Sequence, residues 1–166
     1  MPSTNTPPRS GKSHGLRVIR ELVALEPRGT GTDIGGALES LAQGLKKRSV
    51  IFLISDFLDR SDYETTLKIV SRKHDVIAFR IQDETELQLP GALPGLNVEG
   101  LEDGHTFRFD AAGARSLRAY ADASQQLREQ TAEICRHAKV DMIDARSDED
   151  LVKPLLRFFR SRRGKR

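Results

Sequence analysis

The amino-acid sequence predicts a three-layer α/β domain. Two short, nearly unbroken apolar runs, Val50–Ile54 and Val76–Ile81, have the composition of strands covered on both faces, and such strands are usually parallel. A third run, Val140–Asp144, follows a long amphipathic stretch, so helical and strand-like patterns alternate along most of the chain.

The elements follow in order. Residues 1–12, rich in Pro, Ser, Thr and Gly, read as a flexible leader. Ser13 is the expected N-cap of a helix over His14–Leu25, with Leu16, Ile19, Leu22 and Val23 on one face and Pro27 and Gly29 beyond its end. A second helix is expected from Asp33 to Leu45, closed by the cations Lys46, Lys47 and Arg48 near the negative pole of its dipole. After the first strand, Ser61 or Asp62 is expected to cap a helix to about Lys73, which gives a β–α–β unit with Val76–Ile81. Asp83–Gly95 reads as a loop. Leu96–Glu99 and Thr106–Phe109 alternate apolar and polar residues around Glu102-Asp103-Gly104-His105, as in a hairpin. Ala114 to about Lys139 is a long helix. Ser147 with Asp150 opens a last one, in which Pro154 falls late for a first-turn proline, so that helix either starts late or kinks. The main domain is thus expected over 13–160, with a basic tail at 161–166. Two features do not suit a complete doubly wound domain: two helices precede any strand, and three parallel strands make a thin sheet.

Composition narrows the function classes. Of 166 residues, 37% are hydrophobic and 31% charged, as in a soluble globular chain rather than a disordered one. No apolar run approaches the roughly 20 residues of a bilayer span, and Met1–Pro8 lacks the apolar stretch of a signal peptide. Cys135 is the sole cysteine, which excludes an internal disulfide and suits a cytoplasmic setting. The net charge of +3 hides an asymmetry: the last ten residues carry six cations and no acid, and without them the chain stands at −3. The high pI therefore reports basic ends. Arg160, Arg162, Arg163, Lys165 and Arg166 form the one patch suited to nucleic acid, and a solvated tail is the preferred reading.

Three nucleotide signatures fail on spacing or context. Gly11-Lys12-Ser13 has Thr6 where a P-loop needs glycine. Gly29-Thr30-Gly31-Thr32-Asp33-Ile34-Gly35 has its third glycine one place late and follows a helix. Asp56-Phe57-Leu58-Asp59 has the wrong spacing for a phosphotransfer acid pair. The histidines 14, 74, 105 and 137 are scattered, Cys135 has no His–Asp set around it, and Asp83 with Glu86 suits turn and surface roles better than an acid/base couple. Phe158-Phe159 reads as core packing. The better signal is Thr32, in the loop entering a helix, with Asp56 at the C-terminal end of a core strand, where ligands collect in open α/β sheets. A hydroxyl and a carboxylate there suit a hard cation such as Mg²⁺. The competing reading is that both residues cap turns.

A set of motifs adds to this. Pro7-Pro8-Arg9, Gly11-Lys12, His14, Leu16-Arg17 and Ile19-Arg20 come first. Gly31-Thr32-Asp33-Ile34 with Ala37-Leu38, Ile54-Ser55-Asp56-Phe57, His74-Asp75-Val76-Ile77, Asp83 with Glu86, and Leu89-Pro90 follow. Together they resemble the bacterial domain-of-unknown-function family fifty-eight, whose domain is similar to the von Willebrand factor type A fold, from about Pro7 to the end of the chain. The resemblance implies a metal-ion-dependent adhesion site made of an Asp-x-Ser-x-Ser strand, a threonine and an aspartate. Thr32 matches the threonine and Asp56 the aspartate, with Ser55 and Asp33 as neighbours. No Asp-x-Ser-x-Ser occurs in the sequence. The expectation is therefore the C-terminal portion of such a domain, with an incomplete site, weak Mg²⁺ binding, and an open edge at Val50–Ser55 available for strand addition or self-association.

The resemblance also implies a non-enzymatic protein-interaction module, partner or adaptor of a MoxR-type AAA+ ATPase. Two alternatives stand beside it: a metal-dependent hydrolase or phosphotransferase using Asp56, and nucleic-acid binding through the basic C-terminal tail.

Overall fold

The structure, a computed structural model, describes residues 11–25, 31–59, 61–87, 89, 96–99, 106–109 and 113–163. The chain divides into two compact units, 1–31 and 32–166.

The first unit contributes one described helix, α1 (Lys12–Val23). It begins a residue before the expected Ser13 cap, because the chain already turns at Gly11: φ there is +111°, and the His14 N–H donates to the Gly11 carbonyl at 3.2 Å. Leu16, Ile19 and Val23 form an exposed apolar stripe.

The second unit runs α2 (Ile34–Gly44), β1 (Val50–Ser55), α3 (Glu64–Lys73), β2 (Asp75–Gln82), α4 (Glu84–Leu87), β3 (Leu96–Glu99), β4 (Thr106–Phe109), α5 (Ala114–His137), β5 (Asp141–Arg146) and α6 (Val152–Arg163). Strands β1, β2 and β5 form a parallel sheet in the order β1-β2-β5, with Phe52 opposite Ile77 and Phe79 opposite Ile143. Strands β3 and β4 pair antiparallel as a separate two-stranded sheet, as the alternation predicts; the turn between them lies outside the described residues. This is a mixed α/β fold.

Period-two alternation splits the core in two. Ile51 of β1 and Val76 and Ala78 of β2 face Ile34 and Leu38 of α2, Leu67 and Val70 of α3, and Cys135 of α5. On the opposite face, Ile77, Phe79, Ile143 and Ala145 meet Leu151, Leu155 and Phe158 on and just before α6. Leu38, Leu67 and Val70 are wholly buried, and removing side chains of this size from water is worth about 1.5–3 kcal/mol each.

The last helix is locked by its own cation. Arg162 donates to both carboxylate oxygens of Asp75 (2.8 and 2.9 Å) and to Asp141 Oδ2 (2.6 and 2.9 Å), with its guanidinium 4.9 Å from the Phe158 ring centre. It thus pins the C-terminal end of α6 to the N-terminal ends of β2 and β5.

Several expectations are corrected. β1 is not covered on both faces: Val50, Phe52 and Ile54 are 58, 42 and 61% exposed. Helix α6 lies over β2 and β5, and Phe159 stands 6.2 Å from Phe52 of β1 between ring centres. The Ser147–Asp150 capping box does not form. Ser147 donates instead to Asp83 Oδ2, and α6 starts at Val152, whose N–H is taken by Asp150 Oδ1. Pro154 then falls in the first turn, where a missing N–H costs nothing. Residues 161–163 are the last turn of α6 rather than a free tail. The α3 helix starts at Glu64, with Asp62 Oδ1 accepting the Glu64 N–H. The short α4 arises inside the expected loop because Asp83 Oδ1 takes both the N–H and the hydroxyl of Thr85.

Candidate functional site

The C-terminal end of β1 turns sharply. Ser55 Oγ donates to Asp56 Oδ1 (3.3 Å) and accepts the Phe57 N–H (3.0 Å), and Asp56 Oδ1 also accepts the Leu58 N–H (3.1 Å). Phe57 is a non-glycine residue at φ +62°, a costly conformation for a bulky side chain. It is held there by burial of its ring beside Tyr63, at 6.4 Å between centres. Ser55 and Asp56 thus build the turn that the competing reading assigned to Asp56.

The start of α2 comes to the same end of the sheet. Asp33 is its N-cap, Oδ1 accepting the Gly36 N–H at 2.8 Å, so the cap role weighed for Thr32 belongs to its neighbour. A side chain at Gly36 would run into that carboxylate. Asp59 reaches across 25 residues: Oδ2 accepts the Ile34 N–H at 2.6 Å while Oδ1 accepts the Ser61 N–H at 2.7 Å. Burial raises the pKa of Asp59, but the hydrogen bonds from the Ser61 and Ile34 N–H groups and the Ser61 side chain outweigh it, and the net shift is below the ordinary carboxylate value. Because Asp59 lies three residues past Asp56 and Ile34 two past Thr32, this latch brings both candidate ligands to one end of the sheet. Thr32 is exposed just outside the cap.

These residues do not by themselves fit a resident Mg²⁺. An octahedral ion takes six oxygens, whereas Asp56 and Thr32 offer two side chains, and Asp56 Oδ1 and Asp33 Oδ1 are already engaged by backbone N–H groups. Among the described residues no three His, Cys, Asp or Glu side chains converge as a metal site would require.

Beside Asp56 lies a cavity of about 170 Å³, lined among others by Arg80, Glu86, Tyr120, Ser124 and Arg128. Its wall is built by α5 strapped to α4: Tyr120 Oη donates to the Thr85 carbonyl (3.0 Å) and Ser124 Oγ to that of Glu86 (2.6 Å). Arg80, 3% exposed, stands in the middle of an apolar strand, donating from Nε to Asp144 (2.7 Å) and from Nη1 to the Arg128 carbonyl (2.9 Å). Burial, followed by the like charges of Asp56 and Asp83, raises the Glu86 pKa against an opposing hydrogen bond from the Asp83 N–H. Neither Arg80 nor Arg128 was singled out from sequence, whereas Glu86 was weighed with Asp83 and assigned to turn and surface roles. A cation inside the run Val76–Ile81 was the available signal, because a buried arginine needs partners.

The other candidates fall outside this site. Burial pushes the Cys135 thiol up to about 11, far from nucleophile range. His74 is buried, with Nδ1 accepting the Ser49 N–H, and His137 lies 3.2 Å from Glu64. Asp83 serves its turn and Ser147. Of the basic set, Arg162 is committed to Asp75 and Asp141, Arg160 and Arg163 are exposed on α6, and Lys165 and Arg166 lie outside the described residues. No described helix is long and apolar enough to cross a membrane.

Comparison with known proteins gives relatives without assigned activity. The uncharacterized protein MAV169 of Mycobacterium avium is 27% identical over 163 residues, covering 96% of this chain and 95% of the relative. Uncharacterized proteins of Mycobacterium bovis and Mycobacterium tuberculosis are 26% identical over 163 residues, and the chain spans about half (50%) of their length. The crystal structure of the conserved hypothetical protein BatB from Bacteroides thetaiotaomicron is similar at a TM-score of 0.46 and 14% identity, over 85% of this chain and 64% of that one. The model of the family described as protein of unknown function DUF58 matches residues 2–131, so the chain belongs to that family.

Proposed function

We propose that the protein is a non-enzymatic interaction module that receives a protein partner on the free edge and apolar face of β1. The observation that carries this reading is β1 itself. Among the described residues it pairs on one side only, with β2. It contains no charge, proline or glycine to blunt the edge, and it exposes Val50, Phe52 and Ile54, with Phe159 of α6 near Phe52. Natural edge strands usually carry such blocking residues, and an unblocked apolar edge is suited to strand addition. The partner class is a MoxR-type AAA+ ATPase, as the family resemblance implies. The sheet is read as part of a von Willebrand factor type A-like architecture, with Thr32 and Asp56 at the end where that fold places its site. Mg²⁺ has no step in this binding, because the β1 face is apolar and two side chains make too small a fraction of a coordination shell.

The test is co-elution of the purified chain with a MoxR-type ATPase from the same genome, beside an Ile54→Lys variant. Ile54 is exposed, so the substitution should change stability by no more than about 0.5 kcal/mol. A complex formed by the parent chain and lost in the variant is the expected result. Absence of a complex, or one indifferent to Ile54→Lys, overturns the reading. A homodimer dissolved by the same substitution would replace the ATPase with a second copy.

A further inference from the structure

The cavity between α5 and the C-terminal end of the sheet has an unbalanced charge arrangement. Arg80 is neutralised by Asp144. Arg128 has no ion pair among the described residues, and its Nε is buried without a hydrogen-bond partner. Asp56 and Glu86, which line the same space, are likewise in no ion pair among the described residues. The cavity therefore holds one cation and two carboxylates outside any ion pair among the described residues, with Asp56 Oδ1 held by Ser55 and the Leu58 N–H and Glu86 Oε2 by the Asp83 N–H.

All three line one cavity, yet Arg128 is ion-paired with neither acid. Glu86 sits where Ser124 ties α4 to α5, and Arg128 is four residues further along α5, about 6 Å along the helix axis. Leu58, Ala123 and Leu127 supply apolar surface to the same space. At about 170 Å³ the cavity is well below the roughly 300–1,000 Å³ of sites for drug-sized molecules. A lone carboxylate would leave the acids opposed, and a lone cation would meet Arg128. A ligand carrying both charges on a short frame satisfies both ends.

We propose that this cavity binds a small zwitterion of the α-amino-acid type, with its carboxylate on Arg128 and its ammonium on Glu86 and Asp56. The proposal does not rest on the partner reading, and it uses no metal ion. Specificity comes from the simultaneous presence of both charges, and the apolar wall limits the side chain to a small aliphatic one.

The experiment is a titration of the full chain with alanine, leucine, propionate, ethylamine and alanylalanine, followed by calorimetry and by amide chemical shifts. Alanine or leucine should bind at least about tenfold more tightly than either single-charge analogue. Arg128→Gln and Glu86→Gln should each weaken that binding by about tenfold or more while leaving the urea midpoint close to that of the parent chain. Two variants at opposite ends keep the test decisive should one of them fold poorly. Tighter binding of alanylalanine than of alanine supports the zwitterion site and assigns its ligand to peptides. No zwitterion binding at about 10 mM overturns the proposal. So does propionate or ethylamine binding as well as alanine, or affinity indifferent to both variants.

Discussion

Asp59 is the residue on which the assembly of the site depends, and replacing it with asparagine isolates its contribution. The carboxylate holds two backbone donors, Ile34 N–H at 2.6 Å and Ser61 N–H at 2.7 Å. Asparagine keeps one acceptor oxygen and turns an NH₂ group toward the other donor, so one bond is lost and replaced by a donor–donor clash. A hydrogen bond to a charged group is worth about 1.5–3 kcal/mol net, and a negative charge at a helix N-terminus adds about 0.3–1 kcal/mol. Ile34 is 4% exposed, which limits rescue by water. The expected loss for Asp59→Asn at neutral pH is therefore about 2 kcal/mol. The pH dependence has a definite sign. The folded pKa lies below the ordinary aspartate value, so the stabilisation is complete above that value and drains away as pH falls through the folded pKa. Urea titrations of both chains at about pH 7 and about pH 3 should show a gap that narrows on acidification. A neutral-pH gap under about 0.5 kcal/mol, or one unchanged by acid, would refute the latch.

Two further outcomes follow from packing. Arg162→Gln removes the bidentate bridge from α6 to Asp75 and Asp141; as the three side chains are a third to a half exposed, the loss should be about 1 kcal/mol and shrink at high salt. Cys135 is 1% exposed with its thiol raised to about 11, so a thiol reagent at neutral pH should label it at a rate that tracks opening of the fold and rises steeply in denaturant; fast labelling of the native chain would contradict its burial.

Much of this fold was legible because its signals are local. The unbroken runs at Val50 and Val76, and the periodicity between them, gave a parallel β–α–β unit whose register the structure places one residue wider at the ends. What sequence could not give was coverage. An apolar run reads the same whether a helix lies over it or not, so the exposure of Val50, Phe52 and Ile54 became visible only with α6 seated over β2 and β5. Capping erred for the same reason. Ser147 and Asp150 have the spacing of a box, but a partner 64 residues away, Asp83, takes the serine.

The candidate site divides along the same line. Thr32, Asp33, Ser55 and Asp56 could be picked out because each stands beside an element boundary. Asp59 was set aside because its spacing from Asp56 matched no motif, yet its role was never local: it joins two segments 25 residues apart, and spacing carries no record of that. Arg80 and Arg128 are subtler. A charged side chain in an apolar strand announces that something must neutralise it, and Asp144 on the neighbouring strand does so. Arg128, on α5, makes no ion pair among the described residues, and neither do Asp56 and Glu86 on the wall of the same cavity. The acids and the base that share this cavity without pairing are the two ends to which the proposed zwitterion would bind.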